Sequence, residues 1–361
     1  MSAVAERTEP KTVALSVASV IATQLRPLVK EIDEEGLYPE GVMHALGMAG
    51  AYAGHASPQG DIVPAVEAMT AVGAVCGSTS FSMWCQNALV WYLANSENPQ
   101  ARERYLADVA CGKQLGGTGL SNPMKSFAGI ERLALKATRV EGGYNVTGRL
   151  PFVSNIENGH LLACIFGIEG GEKSGMAVLR AGHGGVTLAR NAHFIALEGT
   201  ATYSVLIRDA FVPDADVLSH DALPFVARIR KGFVLLQTGF GFGVARGAAQ
   251  SMREDSYTRE SAAFLPLQPD TIDARCADLL AKVRTLAAGP QETNRAQFLE
   301  VLKVRLAVSW LALEAAQSAM LQLGARGYLT GSETSRRLRE AQFVATVTPS
   351  AKQITSELAK G

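Results

Sequence analysis

Residues 132–154 read RLALKATRVEGGYNVTGRLPFVS, apolar and polar residues alternating on both sides of Gly142-Gly143. A period of two flanking a Gly-Gly pair is the pattern of two strands joined by a tight turn. Residues 161–189, LLACIFGIEGGEKSGMAVLRAGHGGVTLA, repeat it, with turns at Gly170-Gly171 and from Gly182 to Gly185. Closely spaced strands with glycine turns predict a small antiparallel barrel or sandwich. This β-domain is expected over residues 116–222, its strands ending at Val212-Pro213-Asp214.

Outward from it the period becomes helical. Towards the N-terminus Val17, Ile21, Leu25, Val29 and Ile32 form one stripe at three- and four-residue spacing. Tyr38-Pro39-Glu40 ends that helix and starts the next, and a charged helix near residues 100–108 closes a helical domain at about residue 115. Towards the C-terminus the period returns at Phe225, with long helical stretches at 245–259, 271–288, 297–324 and 335–346. Residues 223–361 are therefore expected to form a helical bundle. The fold class is α+β multidomain: helices in 1–115, an antiparallel barrel or sandwich in 116–222, helices in 223–361. GFGFGVARG at 239–247 is not flanked by a βαβ unit and reads as close helix–helix contact through small residues.

Composition narrows the function. Of 361 residues 47% are hydrophobic and 19% charged, and Lys+Arg and Asp+Glu each number 34. A net charge of zero argues against a basic nucleic-acid surface. Residues 68–96 carry no charge, long enough for a membrane span, but Ser78, Thr79, Ser80, Ser82, Gln86 and Asn87 interrupt them. The expectation is two buried helices with a turn near residues 76–79. Residues 1–10 hold Glu6, Arg7 and Glu9 without an apolar run, so no signal peptide is read there. Five dispersed cysteines without a CxxC pair fit reduced thiols and a cytoplasmic location. The six histidines show no ligand spacing, so no metal site is expected.

Five segments, in order, resemble the acyl-CoA dehydrogenase superfamily, including its related flavin-dependent monooxygenases. GLSNPMKSF (119–127) is similar to the family's VTEPGAGSD, GYNVTGRLPFVSN (143–155) to YxxxGxKxWITN, and VLIRDAFVPDADVL (205–218) to xFddVxVPxxnxLG. YTRESAAF (257–264) resembles YaxxRxxFG, and LGARGYLTGSETSRRLREAQ (323–342) resembles GGxGYxxexpxxrxxRDA. The resemblance implies a flavin, FAD in the first place with FMN or loosely bound reduced flavin as alternatives, held between barrel and bundle. It implies Leu120 and Ser121 at the pyrimidine edge, Phe152 as the ring-stacking aromatic, Val153 beside it and Ser154 near flavin N5. Gly324, Ala325 and Ser350 complete the implied cofactor contacts.

The departures bear on chemistry. The family's catalytic carboxylate sits nine residues after the Arg of the RDA motif; here that Arg is Arg339 and the ninth position is Thr348. A neutral hydroxyl is too weak a base to take an α-proton. GFVLLQTGFGFGVA (232–245), where the family's alternative base would lie, has no Asp or Glu either. Ser261 stands for the pyrophosphate-binding Arg, Leu321 for the Gln before the Gly pair and Ala325 for the second Gly. Ser154 and Thr348 are thus the candidate catalytic positions. Three functions follow from the resemblance: a dehydrogenase-like oxidoreductase lacking the usual glutamate, a two-component monooxygenase using reduced flavin and oxygen, or a non-catalytic subunit of a heteromeric dehydrogenase. In the second, Gln86 and Val347 stand where that group places histidines. The expected partners are a small-molecule substrate (an acyl-CoA thioester among the candidates), a flavin reductase or a homologous subunit, and further copies of the chain; neither nucleic acid nor membrane is expected.

Overall fold

The computed structural model describes residues 10–190, 192–255 and 259–360. Residues 1–9, read above as free of a signal peptide, and Tyr257 and Thr258 of YTRESAAF lie outside them.

The N-terminal helices are α1 (Pro10–Val20), α2 (Val29–Glu34), α3 (Glu40–Met48), α4 (Val63–Gly73), α5 (Gly77–Ala94) and α6 (Pro99–Ala110). A π turn and a 3-10 turn carry the chain from α1 into α2, and Val17, Ile21, Leu25 and Ile32 of the expected stripe are buried. The uncharged stretch divides into two helices as expected, α4 and α5, but the break falls at residues 74–76 and not at 76–79, since Gly77 to Thr79 already belong to α5. Every residue of α5 is buried. Most of its polar side chains find partners inside the protein: Ser80 donates to Met69 O at 2.8 Å, and Gln86 Nε2 to Val109 O and Gln114 O, each at 2.9 Å, whereas Ser82 Oγ and Asn87 Oδ1 have none among the described residues. Such pairing lets a polar helix be a core helix.

The middle holds β1 (Gly116–Thr118), a short helix α7 (Ser121–Phe127), β2 (Leu135–Val140), β3 (Gly143–Val153), β4 (Leu161–Ile168), β5 (Ser174–Arg180), β6 (Val186–Ala189), β7 (Tyr203–Pro213) and β8 (Val217–Ser219). They form one eight-stranded sheet, order β6-β7-β3-β2-β4-β5-β8 with β1 beside β4. The expectation of an antiparallel sheet needs correcting: β1 and β2 both pair with β4 in parallel. The reason is the short 154–160 connection. The β2–β3 hairpin brings the chain back to the end where β2 began, so β4 starts at that end and runs in the same direction as β2. The strands also do not end at Pro213, since β8 pairs with β5 beyond it.

The C-terminal helices are α8 (Ala222–Glu254), α9 (Arg259–Ala262), α10 (Pro269–Ala287), α11 (Arg295–Leu323), α12 (Glu333–Thr346) and α13 (Ala351–Ala359). α8 begins 23 residues before the expected 245 and carries the whole glycine-rich segment inside it. There the glycines let helices touch: a Cβ on Gly243 would lie 2.6 Å from Gly73 Cα of α4, and one on Gly241 2.5 Å from Val308 of α11. Asn98, Asn294, Ser332 and Ser350 cap α6, α11, α12 and α13 through their side chains. Helices from both ends of the chain share one apolar core, and the sheet encloses a second. The seam between them carries the site.

Candidate functional site

A cavity of about 530 Å³ opens at this seam, within the range of small-molecule sites. The sheet contributes Thr118, Phe152 and Ser154, α7 and its loop Ser121, Lys125 and Glu131, and the segment before β7 Phe194, Thr200 and Thr202. The helices contribute Phe81, Trp84 and Cys85 of α5, Phe233 of α8 and Phe343 of α12. Thr348 and Ser350 enter from the link between α12 and α13, with Lys352 just beyond.

Five expected residues, Ser121, Phe152, Ser154, Thr348 and Ser350, come together here from positions up to 229 residues apart. Their roles divide by chemistry. Phe152 is 56% exposed on the cavity wall and meets Phe194 edge-on, ring centroids 5.6 Å apart. An exposed aromatic at the mouth of an apolar cavity is a face awaiting a flat ligand. Ser121 Oγ and Thr348 Oγ1 share a hydrogen bond at 3.0 Å. Thr348 is held from behind: Gln237 Nε2 donates to its carbonyl at 2.8 Å, and Arg305 Nε donates to Gln237 Oε1 at 3.0 Å. Arg305 is buried, its partners among the described residues are neutral and include Ser309 and Val344 O, and burial pulls its guanidinium down to about 10.

The other expected contacts separate from the cavity. Leu120 and Val153 point into the two cores: Val153 alternates with Phe152 along β3, and Leu120 packs inward just before α7. Gly324 and Ala325 lie exposed in the 3-10 turn after α11 and do not line the cavity. Gln86 is also turned away: its Oε1 accepts from Gly116 N at 2.9 Å, so it pins β1 to α5, while Val347 does line the cavity.

Sequence reading missed Phe194, Thr200, Thr202, Lys125, Glu131 and the α5 aromatics. Lys125 sits inside the quoted 119–127 motif, where the family pattern has a small residue, and was legible there; the others carry no local signal. Among the described residues Glu131 is the one carboxylate lining the cavity. It is engaged at the mouth, accepting from Asn122 Nδ2 at 2.8 Å and pairing with Lys125 at 3.6 Å. The inner end is aromatic: Phe81 stacks on Trp84 at 5.3 Å, and Trp84 and Phe233 meet edge-on at 5.1 Å. Cys85 lies beside them, its thiol pushed well up by burial.

A cavity with an aromatic wall, a hydroxyl edge and an apolar inner end suits a flat ring with one polar edge, and a flavin ring is such a body. Residues 8–113 match the family model described as acyl-CoA dehydrogenase, N-terminal domain. The chain is 24% identical over 351 residues to the probable acyl-CoA dehydrogenase YngJ of Bacillus subtilis, covering 89% of each. Its fold is that of butyryl-CoA dehydrogenase from Megasphaera elsdenii, with TM-score 0.82, 16% identity and 97% of each chain covered. The fold is also that of the dibenzothiophene monooxygenase TdsC from Paenibacillus sp. A11-2, with TM-score 0.79, 16% identity, and 98% and 96% covered. Two further structures of this fold hold FADH2 and FMN. Residues 8–113 thus match the N-terminal domain of the acyl-CoA dehydrogenases, and the whole chain shares their fold. It is an oxidoreductase of the acyl-CoA dehydrogenase-like kind, and the flavins seen in those two structures belong to a fold it shares.

Proposed function

We propose that this flavoprotein works without a carboxylate base, as a monooxygenase fed with reduced flavin and oxygen. The observation that supports this is the cavity's lining: Thr348, which the resemblance puts at the base position, shares its hydroxyl with Ser121, and Glu131 is tied to Lys125 and Asn122 at the mouth. General-base catalysis supplies about 10²–10⁴-fold in rate, and none of the inner side chains can provide it. When bound, the flavin supplies the two-electron chemistry. The chain's own residues would do the rest: Phe152 and Phe194 would offer the ring an aromatic wall, Ser121 and Thr348 would meet its polar edge, and Phe81, Trp84 and Phe233 would keep water from the inner end. The cofactor is proposed as FAD, its phosphates reaching Lys125 and Lys352 at the mouth. A flavin reductase is the proposed partner. The five free cysteines support a cytoplasmic location.

The test is anaerobic mixing of the flavin-loaded protein with saturated acyl-CoAs of several lengths, then oxygen uptake with a reductase and NADH. Unbleached flavin in the first step and substrate-dependent uptake in the second support the reading. Robust bleaching by an acyl-CoA refutes it. Glu131 favours a second reading, a dehydrogenase whose base enters from the α7 loop. In that case Glu131→Gln abolishes bleaching, and Thr348→Glu restores it.

A further inference from the structure

Three hydroxyls line one wall of the cavity in a row: Ser154, Thr202 and Thr200. Thr200 Oγ1 lies 2.6 Å from Leu197 O and 2.8 Å from Thr202 Oγ1, and Thr202 Oγ1 lies 2.6 Å from Ser154 Oγ. A hydroxyl has one proton and two lone pairs, and a carbonyl only accepts. At 2.6 Å from Leu197 O, Thr200 must give its proton there, since two lone pairs at that distance repel. Thr200 can then only accept from Thr202. Thr202 has thereby spent its proton and can only accept from Ser154. Ser154 has spent its own in turn.

We infer that this hydroxyl relay presents Ser154 to the cavity as a hydrogen-bond acceptor alone, and so makes the site select the reduced flavin over the oxidised one. The inference rests on the proposed flavin reading. In the oxidised ring the reducible nitrogens are acceptors; on two-electron reduction a nitrogen gains an N–H and becomes a donor. An oxidised nitrogen facing Ser154 Oγ meets lone pair with lone pair, whereas the reduced ring gives its N–H to an oxygen with room for it. Thr200 holds the polarity, because it is 1% exposed and its acceptor is a backbone carbonyl that cannot reverse. Ser154 is the contact and Thr200 the positioning residue. The selection also suits a protein that receives flavin already reduced.

The experiment measures dissociation constants of FMN and FAD, oxidised and anaerobically reduced, for the full-length protein and for Thr200→Val and Thr200→Ser. One hydrogen bond made rather than opposed predicts reduced flavin bound at least about 10-fold tighter than oxidised in the unmodified protein. Thr200→Val frees Thr202 to donate towards Ser154 and Ser154 to donate into the cavity, so the preference falls to about unity or inverts. Thr200→Ser keeps it. Unaltered preference in Thr200→Val, or tighter binding of oxidised flavin by the unmodified protein, overturns the inference. Equal binding of both states overturns it while leaving the flavin reading intact, and failure of both states to bind sinks both. Should Thr200→Val not fold, Ser154→Ala replaces it: deleting the acceptor lowers the affinity for reduced flavin and spares that for oxidised, and an equal loss in both refutes the polarity.

Discussion

Phe152→Ala separates a ligand-binding aromatic from a packing one. A Phe side chain spans about 200 Å², and Phe152 leaves 56% of its surface uncovered. The covered part, roughly 90 Å² at ~25 cal/mol per Å², sets an upper limit of about 2 kcal/mol on its worth to the fold. The open part, roughly 110 Å², is what a flat ligand would cover, worth up to about 3 kcal/mol. That agrees with the ~1–3 kcal/mol measured for stacking of bases on aromatics. Phe152→Ala should therefore weaken flavin binding about 10- to 100-fold and cost the flavin-free protein no more than about 2 kcal/mol. Flavin fluorescence titration gives the first quantity and urea unfolding of the flavin-free protein the second. Phe152→Tyr, which keeps the ring, should bind within about threefold of the unmodified protein. Unchanged affinity in Phe152→Ala would refute the placement of the ring against this wall, and so would a stability loss well above the limit.

Burial pushes His55 down to about 4, its Nε2 facing Asn87 O at 2.9 Å. The unfolded chain takes up this proton below about pH 6.5 and the native protein only near 4, so stability falls as pH drops through that window, by up to about 3 kcal/mol. Urea unfolding from pH 7 to 4.5 should show the slope and His55→Gln should flatten it; equal slopes in both proteins contradict the assignment. Gly243→Ala should cost about 1–3 kcal/mol by forcing α8 from α4 at the 2.6 Å approach to Gly73. Gly41→Ala, with nothing within 4 Å, should be neutral or stabilising in the same thermal melts, and matching losses would show that contact is not the cause. Trp310 and Leu321 lie 50% and 58% exposed on α11, so the protein is expected to associate through the C-terminal helices. Light scattering should find a dimer or tetramer, and Trp310→Glu should shift it to smaller species; a monomeric unmodified protein at micromolar concentration rules the surface out.

The order of helices, strands and helices was legible because periodicity is local. The stripe from Val17 to Ile32, the Gly142-Gly143 hairpin and the cap-bounded C-terminal helices each announce themselves within a few residues. That Ser121, Phe152, Ser154 and Thr348 would meet at one cavity was legible too, since each keeps a fixed spacing to recognisable neighbours. Local pattern could not say that β4 lies beside β2 in parallel, because pairing is decided by where a seven-residue connection can deliver the chain. Nor could it show that Leu120 and Val153 turn inward, or that Gly324 and Ala325 are not part of the cavity's lining. Above all, the direction of a hydroxyl's proton is a property of its surroundings. Thr200, Thr202 and Ser154 are ordinary residues in sequence, and only the packing of the loop before β7 against the end of β3 lines them up behind one carbonyl. Composition and spacing name the groups available to a site; tertiary structure decides which of them face each other, and with which atom.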